Sequence, residues 1–407
     1  MRKTATVLAL LAALAAGCGH GSRSGSKLRT ILIVVDAPYS RSPYSGSTIA
    51  DGVRLAADQI NGRGLSANGV NYRVRVLRLD NALSPVKAVA NMRRALREKA
   101  VAVVTDGTGV DATWRVANQA NVAIGITYDG GMNLVDPQRR PNVFRIAPTD
   151  HGLAFRLAEY IVPKGQKVAL LTDDSDYGQH GRAALADAFR TLPKSVAARI
   201  TLPSTATDLA PQLLEARRSG ATALLVWAQP AVLAKAILAA RSSGWRVPIY
   251  TTPAGEDPFV RQQLADHPSW VDGLTFASGR MTAELGPAPW QAFASSYESA
   301  YGSAFVGVKS HGKRVTAPPD YAMYAYDFVN VLAAAVSRAG DNRAKIVKVL
   351  NQVSTRGANG DERGFNEHSH EGVVDDDVYF ARFHDMIFRP VKDDPLSATL
   401  PVISQTK

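Results

Sequence analysis

Apolar positions follow two periods that alternate along the chain. Short continuous runs rich in β-branched residues give way to stretches in which apolar residues recur every three or four positions. The run Ile31-Leu32-Ile33-Val34-Val35 reads as a strand buried on both faces. The helix after it, residues 48–61, carries Ile49, Val53, Ala56 and Ile60 on one stripe and should stop at Asn61-Gly62. A strand over 72–79, a helix over 85–99, a strand over 101–105, a helix N-capped by Asp111 and a strand over 122–127 follow. A second round opens at Phe144, where a strand turns into a helix through Ile161. It continues with strands over 168–172, 196–202, 223–227 and 248–250 and helices over 181–191, 209–219 and 231–244. Such a βα rhythm builds a mostly parallel sheet covered by helices, here twice over. Beyond Val271 the rhythm changes to a strand over 274–278, a helix over 289–301, a Gly/Lys-rich loop over 302–317 and a helix over 320–339. Tyr324, Phe328, Val331 and Leu332 mark that last helix as core, and a short helix over 344–353 and a strand over 378–383 end the pattern. The expected fold class is α/β, with two doubly wound, Rossmann-like lobes. The chain finishes parts of both lobes late, so several crossings should form a hinge.

The 407 residues exceed what one core usually holds, which agrees with two lobes. No internal stretch reaches the ~18 apolar residues that span a bilayer. At the N-terminus, Arg2 and Lys3 precede an apolar run from Ala5 to Ala16, the order of a secretory signal. The run ends in Leu14-Ala15-Ala16-Gly17-Cys18, which resembles the lipobox of bacterial lipoproteins and makes Cys18 the expected lipid anchor. Two acyl chains would keep the chain on a membrane. Residues 19–27 then read as a flexible leash. Cys18 is the only cysteine, so an internal disulfide is excluded. The formal net charge is +11, but basic residues such as Arg93-Arg94 and Arg139-Arg140 come in isolated pairs that read as exposed charges. Without a basic run interleaved with aromatics, no nucleic-acid partner is expected.

In an open α/β sheet, ligands sit beyond the carboxyl ends of the strands, which directs attention to the loops after Val35, Thr105, Thr127, Thr172, Trp227 and Tyr250. Asp106-Gly107-Thr108-Gly109 precedes a helix N-terminus, where free amides favour an anion; a plain glycine turn is the alternative. Gly62 to Ala67 spells Gly-x-Gly-x-x-Ala but follows a helix, which argues against a dinucleotide site. P-loop, zincin and Gly-x-Ser-x-Gly patterns are missing, so neither an enzyme nor a cofactor is expected. Glu367-His368-Ser369-His370-Glu371 would put two histidines on one face of a strand, but a polar loop without metal is the expected reading.

Several segments in order resemble one family: Asp51-Gly52-Val53-Arg54-Leu55-Ala56, Leu79-Asp80, Phe144-Arg145 through Asp150, Asp173-Asp174-Ser175-Asp176-Tyr177-Gly178, and Tyr324-Ala325-Tyr326-Asp327. Over about Ile31 to Val391 the chain resembles the branched-chain amino-acid type of periplasmic binding protein, the class I solute-binding fold of ABC importers. The resemblance implies that Gly107 and Thr108 meet a ligand carboxylate and that Asp129 and Gly130 lie near its ammonium. It further implies that Tyr177 and Trp227 line the cleft, that Glu256 or its neighbour Asp257 pairs with the ammonium, and that Tyr39, Ser40 and Tyr44 lie on a covering loop. The implied division is a signal peptide over 1–17, a lipid-anchored linker over 18–29, an N-terminal lobe of 30–147 plus 277–345, a C-terminal lobe of 148–276 plus 346–395, and a tail over 396–407. The implied molecule is an extracytoplasmic monomer, held at the membrane by its lipid. It would take an amino acid, amide or small carboxylate and hand it to ABC permease subunits. A sensor signalling to a membrane partner, or less readily an extracytoplasmic enzyme, stays open at this point.

Overall fold

The computed structural model describes residues 28–279, 288–303, 305–308, 314–316, 320–373 and 378–400, so Cys18 and the leash lie outside the described residues. The first half runs β1 (Leu28–Ala37), α1 (Pro43–Arg63), β2 (Leu65–Ala67), β3 (Val70–Asp80), α2 (Pro85–Arg97), β4 (Ala102–Thr105), α3 (Val110–Gln119), β5 (Ala123–Ile126) and β6 (Val143–Arg145). The second runs α4 (Asp150–Ile161), β7 (Val168–Asp173), α5 (Asp176–Ala188), β8 (Val196–Leu202), α6 (Ala210–Arg218), β9 (Ala223–Trp227), α7 (Pro230–Ser242), β10 (Ile249–Thr251), α8 (Pro258–Gln263) and β11 (Thr275–Ser278). The return comprises α9 (Ala288–Tyr301), β12 (Phe305–Val308), β13 (Arg314–Thr316), α10 (Asp320–Ala339), α11 (Arg343–Leu350), β14 (Ser354–Arg356), β15 (Glu362–Gly364), β16 (Tyr379–His384) and β17 (Ile387–Pro390).

Two main sheets result, ordered β2-β3-β1-β4-β5-β6 and β17-β16-β11-β10-β9-β7-β8. Each is parallel at its centre, and among the described residues antiparallel strands occur only at one edge, β2 in the first sheet and β16 with β17 in the second. Both sheets are doubly wound, as expected. Each is covered on both faces, so the buried apolar residues form four clusters, one per face. The predicted stripe of Ile49, Val53, Ala56 and Ile60 is fully buried, against α10, whose Phe328 and Val331 are also at 0% exposure.

The late elements refine the expected boundaries. Residues 277 and 278 end β11 in the second sheet. Residues 346–373, expected in the C-terminal lobe, contribute Ile346, Leu350, Val353 and Phe365 to the core under α10. A buried ion pair fixes them there, Arg363 to Asp327 at 3.2 Å. Leu28 and Arg29, expected in the linker, pair with Asn71 and Tyr72 of β3. At the other end Leu400, expected in the tail, packs on the second core. α1 starts at Pro43, whose fixed φ suits a first turn, and passes Gly62 to end at Gly64 with φ +83°. The expected loop over 302–317 contains the β12–β13 hairpin. Asp111 is not the N-cap of α3; Gly109 is, and Asp111 pairs with Arg140 at 2.7 Å, so Arg140 is not a free surface charge.

Between sheets the chain crosses three times: after β6, after β11 and after Val373. The first and third crossings lie side by side. The Arg145 amide donates to the His370 carbonyl at 2.9 Å, and the Gly372 amide donates to the Arg145 carbonyl at 2.7 Å. The buried Arg145 guanidinium forks onto Glu371 at 2.6 and 2.7 Å, a two-pronged bond that fixes direction as well as distance.

Candidate ligand-binding site

Strand order reverses at β1, between β3 and β4, and at β7, between β8 and β9, which opens a crevice at the carboxyl ends of each sheet. These ends face each other across a junction built of tyrosines. Tyr128, following β5, has its ring centroid 5.3 Å from Tyr177 on α5 and 4.9 Å from Tyr321 at the start of α10. Tyr44, in the first turn of α1, lies 6.5 Å from Tyr321. Tyr128 and Tyr44 each pack on a core cluster of both halves. The cores themselves stay separate, which is the condition for a cleft that opens.

Hydrogen bonds close the junction. The Tyr321 hydroxyl donates to the Pro253 carbonyl at 2.8 Å and Ser45 Oγ donates to Asp257 Oδ2 at 2.9 Å, both from the first half to the second. Within the second half, the Tyr177 hydroxyl donates to Thr252 Oγ1 at 2.7 Å. Asp257 is 1% exposed. Burial pushes its carboxyl up to about 6, against the hydrogen bonds from the Phe259 amide and Ser45. Glu256 is buried beside it.

The other expected site residues divide by position. Tyr39 is half-buried under the Arg78 guanidinium, 4.4 Å from its ring, and burial raises its hydroxyl. Ser40 is exposed and gives its hydroxyl and amide to Asp80 at 2.7 and 3.2 Å, tying the first loop to β3 and not to the junction. Gly107 sits at φ +119°, and a Cβ there would overlap Asp129. Thr108 donates its hydroxyl to Asp106 at 2.6 Å, which leaves its oxygen as an acceptor. Burial pushes Asp106 up to about 6 despite the bonds from Thr108 and Asn81. Trp227 is fully buried in a core cluster of the second half that also holds Tyr177, whose ring lies 6.1 Å away. Sequence reasoning did not single out Ser45, Tyr128 or Tyr321 for the site. Their common signal, a hydroxyl just past a strand or at a helix start, recurs too often along the chain to be selective.

Asp129 and Gly130 belong to a second constellation at the junction's edge. His180, on α5, places Nδ1 3.0 and 3.1 Å from the two Asp129 oxygens and Nε2 3.7 Å from Asp111. Burial disfavours the charged ring, but hydrogen bonds to Asp111 and Asp129 carry it up to about 10. Asp150, the first residue of α4, is 0% exposed, and its amide donates to the Gly130 carbonyl at 2.7 Å. Burial and then the Asp129 charge hold its carboxyl well above the usual range. Arg145 Nη1 donates to the Asp129 and Gly131 carbonyls at 3.2 and 2.9 Å, which fixes this loop to the hinge. The two histidines near the C-terminus do not converge. His368 is exposed, whereas His370 is buried, stacks on Phe144 at 4.1 Å and turns Nδ1 to the Val143 carbonyl at 2.8 Å.

Comparison with known proteins fits this arrangement. Residues 33–385 match the family described as periplasmic binding protein. An amino acid binding protein of Pseudomonas aeruginosa is 26% identical over 77% of this chain and 80% of its own length. Among solved structures, a type 1 periplasmic binding protein from Bordetella pertussis superposes with a TM-score of 0.74 at 20% identity, covering 89% of this chain and 100% of its own. The branched-chain amino acid transporter substrate binding protein LivJ of Streptococcus pneumoniae, in complex with isoleucine, superposes with a TM-score of 0.73 at 22% identity, covering 88% and 97%. At these identities the structures share the fold. Among the described residues no helix is long and apolar enough to cross a membrane.

Proposed function

The chain belongs to the periplasmic binding protein family, and from that premise we propose that it is the extracytoplasmic solute receptor of an ABC importer, anchored through Cys18 and closing on a small amino acid. The observation that carries this reading is the junction: buried tyrosines from both halves, with an acid and hydroxyls bonded across it. Tyr44, Tyr128, Tyr177 and Tyr321 offer an apolar wall suited to an aliphatic or aromatic side chain. Asp257, with Glu256 beside it, is the partner for an ammonium. Free amides at a helix start suit a carboxylate, but here Gly107 donates to Thr105 Oγ1 at 3.2 Å and Thr108 and Gly109 donate to Asp106 and Asp176, so a ligand carboxylate would have to displace these partners. A zwitterion leaves water only where both charges are met, so affinity and closure are one event. The amino acid binding protein of Pseudomonas aeruginosa and the isoleucine complex of LivJ support the ligand class.

Calorimetry on Cys18→Ser protein, unfolded and refolded to strip carried-over solute, tests the reading against amino acids, their amides and small carboxylates. The expected result is one site per chain for an amino acid with an apolar side chain. Silence across all three classes would refute it.

A further inference from the structure

The His180–Asp129 contact is accounted for as an ion pair, but it leaves Asp150 unexplained. Asp150 is 0% exposed, and among the described residues neither carboxylate oxygen has a well-formed hydrogen bond, the Gly130 amide being the one donor that acts on it. Two cations act on it without bonding it: Arg145, which spends its donors on Glu371 and on the Asp129 and Gly131 carbonyls, and the His180 ring, whose Nδ1 is turned to Asp129. A buried carboxyl of this kind keeps its proton unless a cation takes the proton's place, and then both oxygens are free to bind that cation.

We propose that Asp129, Asp150 and His180 form a binding site for a divalent transition-metal ion of the zinc class, bridging the two halves at the edge of the junction. One ligand atom from each residue lies within 4.8 Å of the other two, against about 3.4 Å for the edge of a tetrahedral zinc site. Rotation of the carboxylates covers that difference. The closest pair, His180 Nδ1 to Asp129 at 3.0 Å, is already near it.

The surroundings match a metal-bound histidine. With Nδ1 on the ion, Nε2 carries the proton and faces Asp111, and Asp111 is held in turn by Arg140 at 2.7 Å. A carboxylate behind the histidine is the usual device for fixing the ring and its tautomer. Two carboxylates and a neutral imidazole around a doubly charged ion make a neutral cluster, which a buried position tolerates. Three protein ligands leave the fourth tetrahedral position for water or a solute oxygen. His180 is 25% exposed at its side chain, which leaves the ion a path from solvent. Asp129 follows β5 of the first half, while Asp150 and His180 stand on α4 and α5 of the second, so the ion would hold the halves together.

The inference does not depend on which solute the cleft takes, because its probe is the metal alone. Chelator-treated Cys18→Ser protein is titrated with Co²⁺, read by visible absorption, and then with Zn²⁺. The expected result is one Co²⁺ per chain with the intense band of a four-coordinate site, bleached by one equivalent of Zn²⁺. Asp150→Asn and His180→Gln should each abolish the band while the far-ultraviolet circular dichroism is unchanged. Should Asp150→Asn fail to fold, His180→Gln alone decides. Asp111→Asn, which removes the positioning residue, should weaken binding about 10- to 100-fold, and His368→Gln should leave it unaltered. The absence of stoichiometric binding would overturn the proposal. So would a band that survives His180→Gln, or one lost in His368→Gln.

Discussion

Glu256, or its neighbour Asp257, was expected to share a site with Trp227, yet burial means different things for Asp257 and Trp227. The Asp257 carboxyl, pushed up to about 6, must ionise to hold an ammonium. Amino-acid affinity should therefore fall as pH drops below about 6, by up to about tenfold per unit. In Asp257→Asn protein, affinity should be weak and level with pH, and calorimetry from pH 5 to 8 reads both. The same shift acts oppositely on the empty fold. The folded state holds this proton more tightly than the unfolded chain, so Asp257 contributes a loss of stability as pH rises from about 4 to about 6. Trp227 stands in the core, and Trp227→Ala should cost about 3–5 kcal/mol in denaturant unfolding. A loss below ~1 kcal/mol would mean that its ring faces the cleft. Sequence could not separate the two roles, because β9 is buried along its whole length and alternation then shows no preferred face.

At the scale of elements, the two periods of apolar residues revealed most strands and helices, because each reflects local geometry. Failures occur where composition masks periodicity. α5 begins at Asp176, capped by Ser175 through the Gly178 amide, but Gly178 and Gly181 near its start read as loop, so the helix was expected only from 181. His180 thereby looked like a loop residue, and its meeting with Asp129 had no local signal. The hairpin over 305–316 was hidden in the same way by its Gly/Lys content. Least legible of all was the hinge pairing of Arg145 with Glu371, which lie 226 positions apart. That pair yields a prediction: Arg145→Met removes one partner of a largely buried ion pair and frees the 129–131 loop, which should cost about 3–5 kcal/mol in urea unfolding. A loss below ~1 kcal/mol would assign the crossing strands alone the task of fixing the hinge.

At the scale of the whole molecule, the proposed function joins a tether to a clamp. If Cys18 is acylated, cells expressing the chain should yield it in the membrane fraction with incorporated labelled palmitate, and Cys18→Ser should release it and abolish the label. The clamp is the central claim, since separate cores, paired crossings and cross-junction bonds have their common explanation in two lobes that part and close. Spin labels at the exposed positions Glu98 and Arg217, one on each lobe, report it directly through their distance distribution. A hinged receptor gives a longer and broader distribution when empty, collapsing to one shorter distance once calorimetry shows the amino acid saturating the same sample. A single distance that does not move while the solute binds would contradict it.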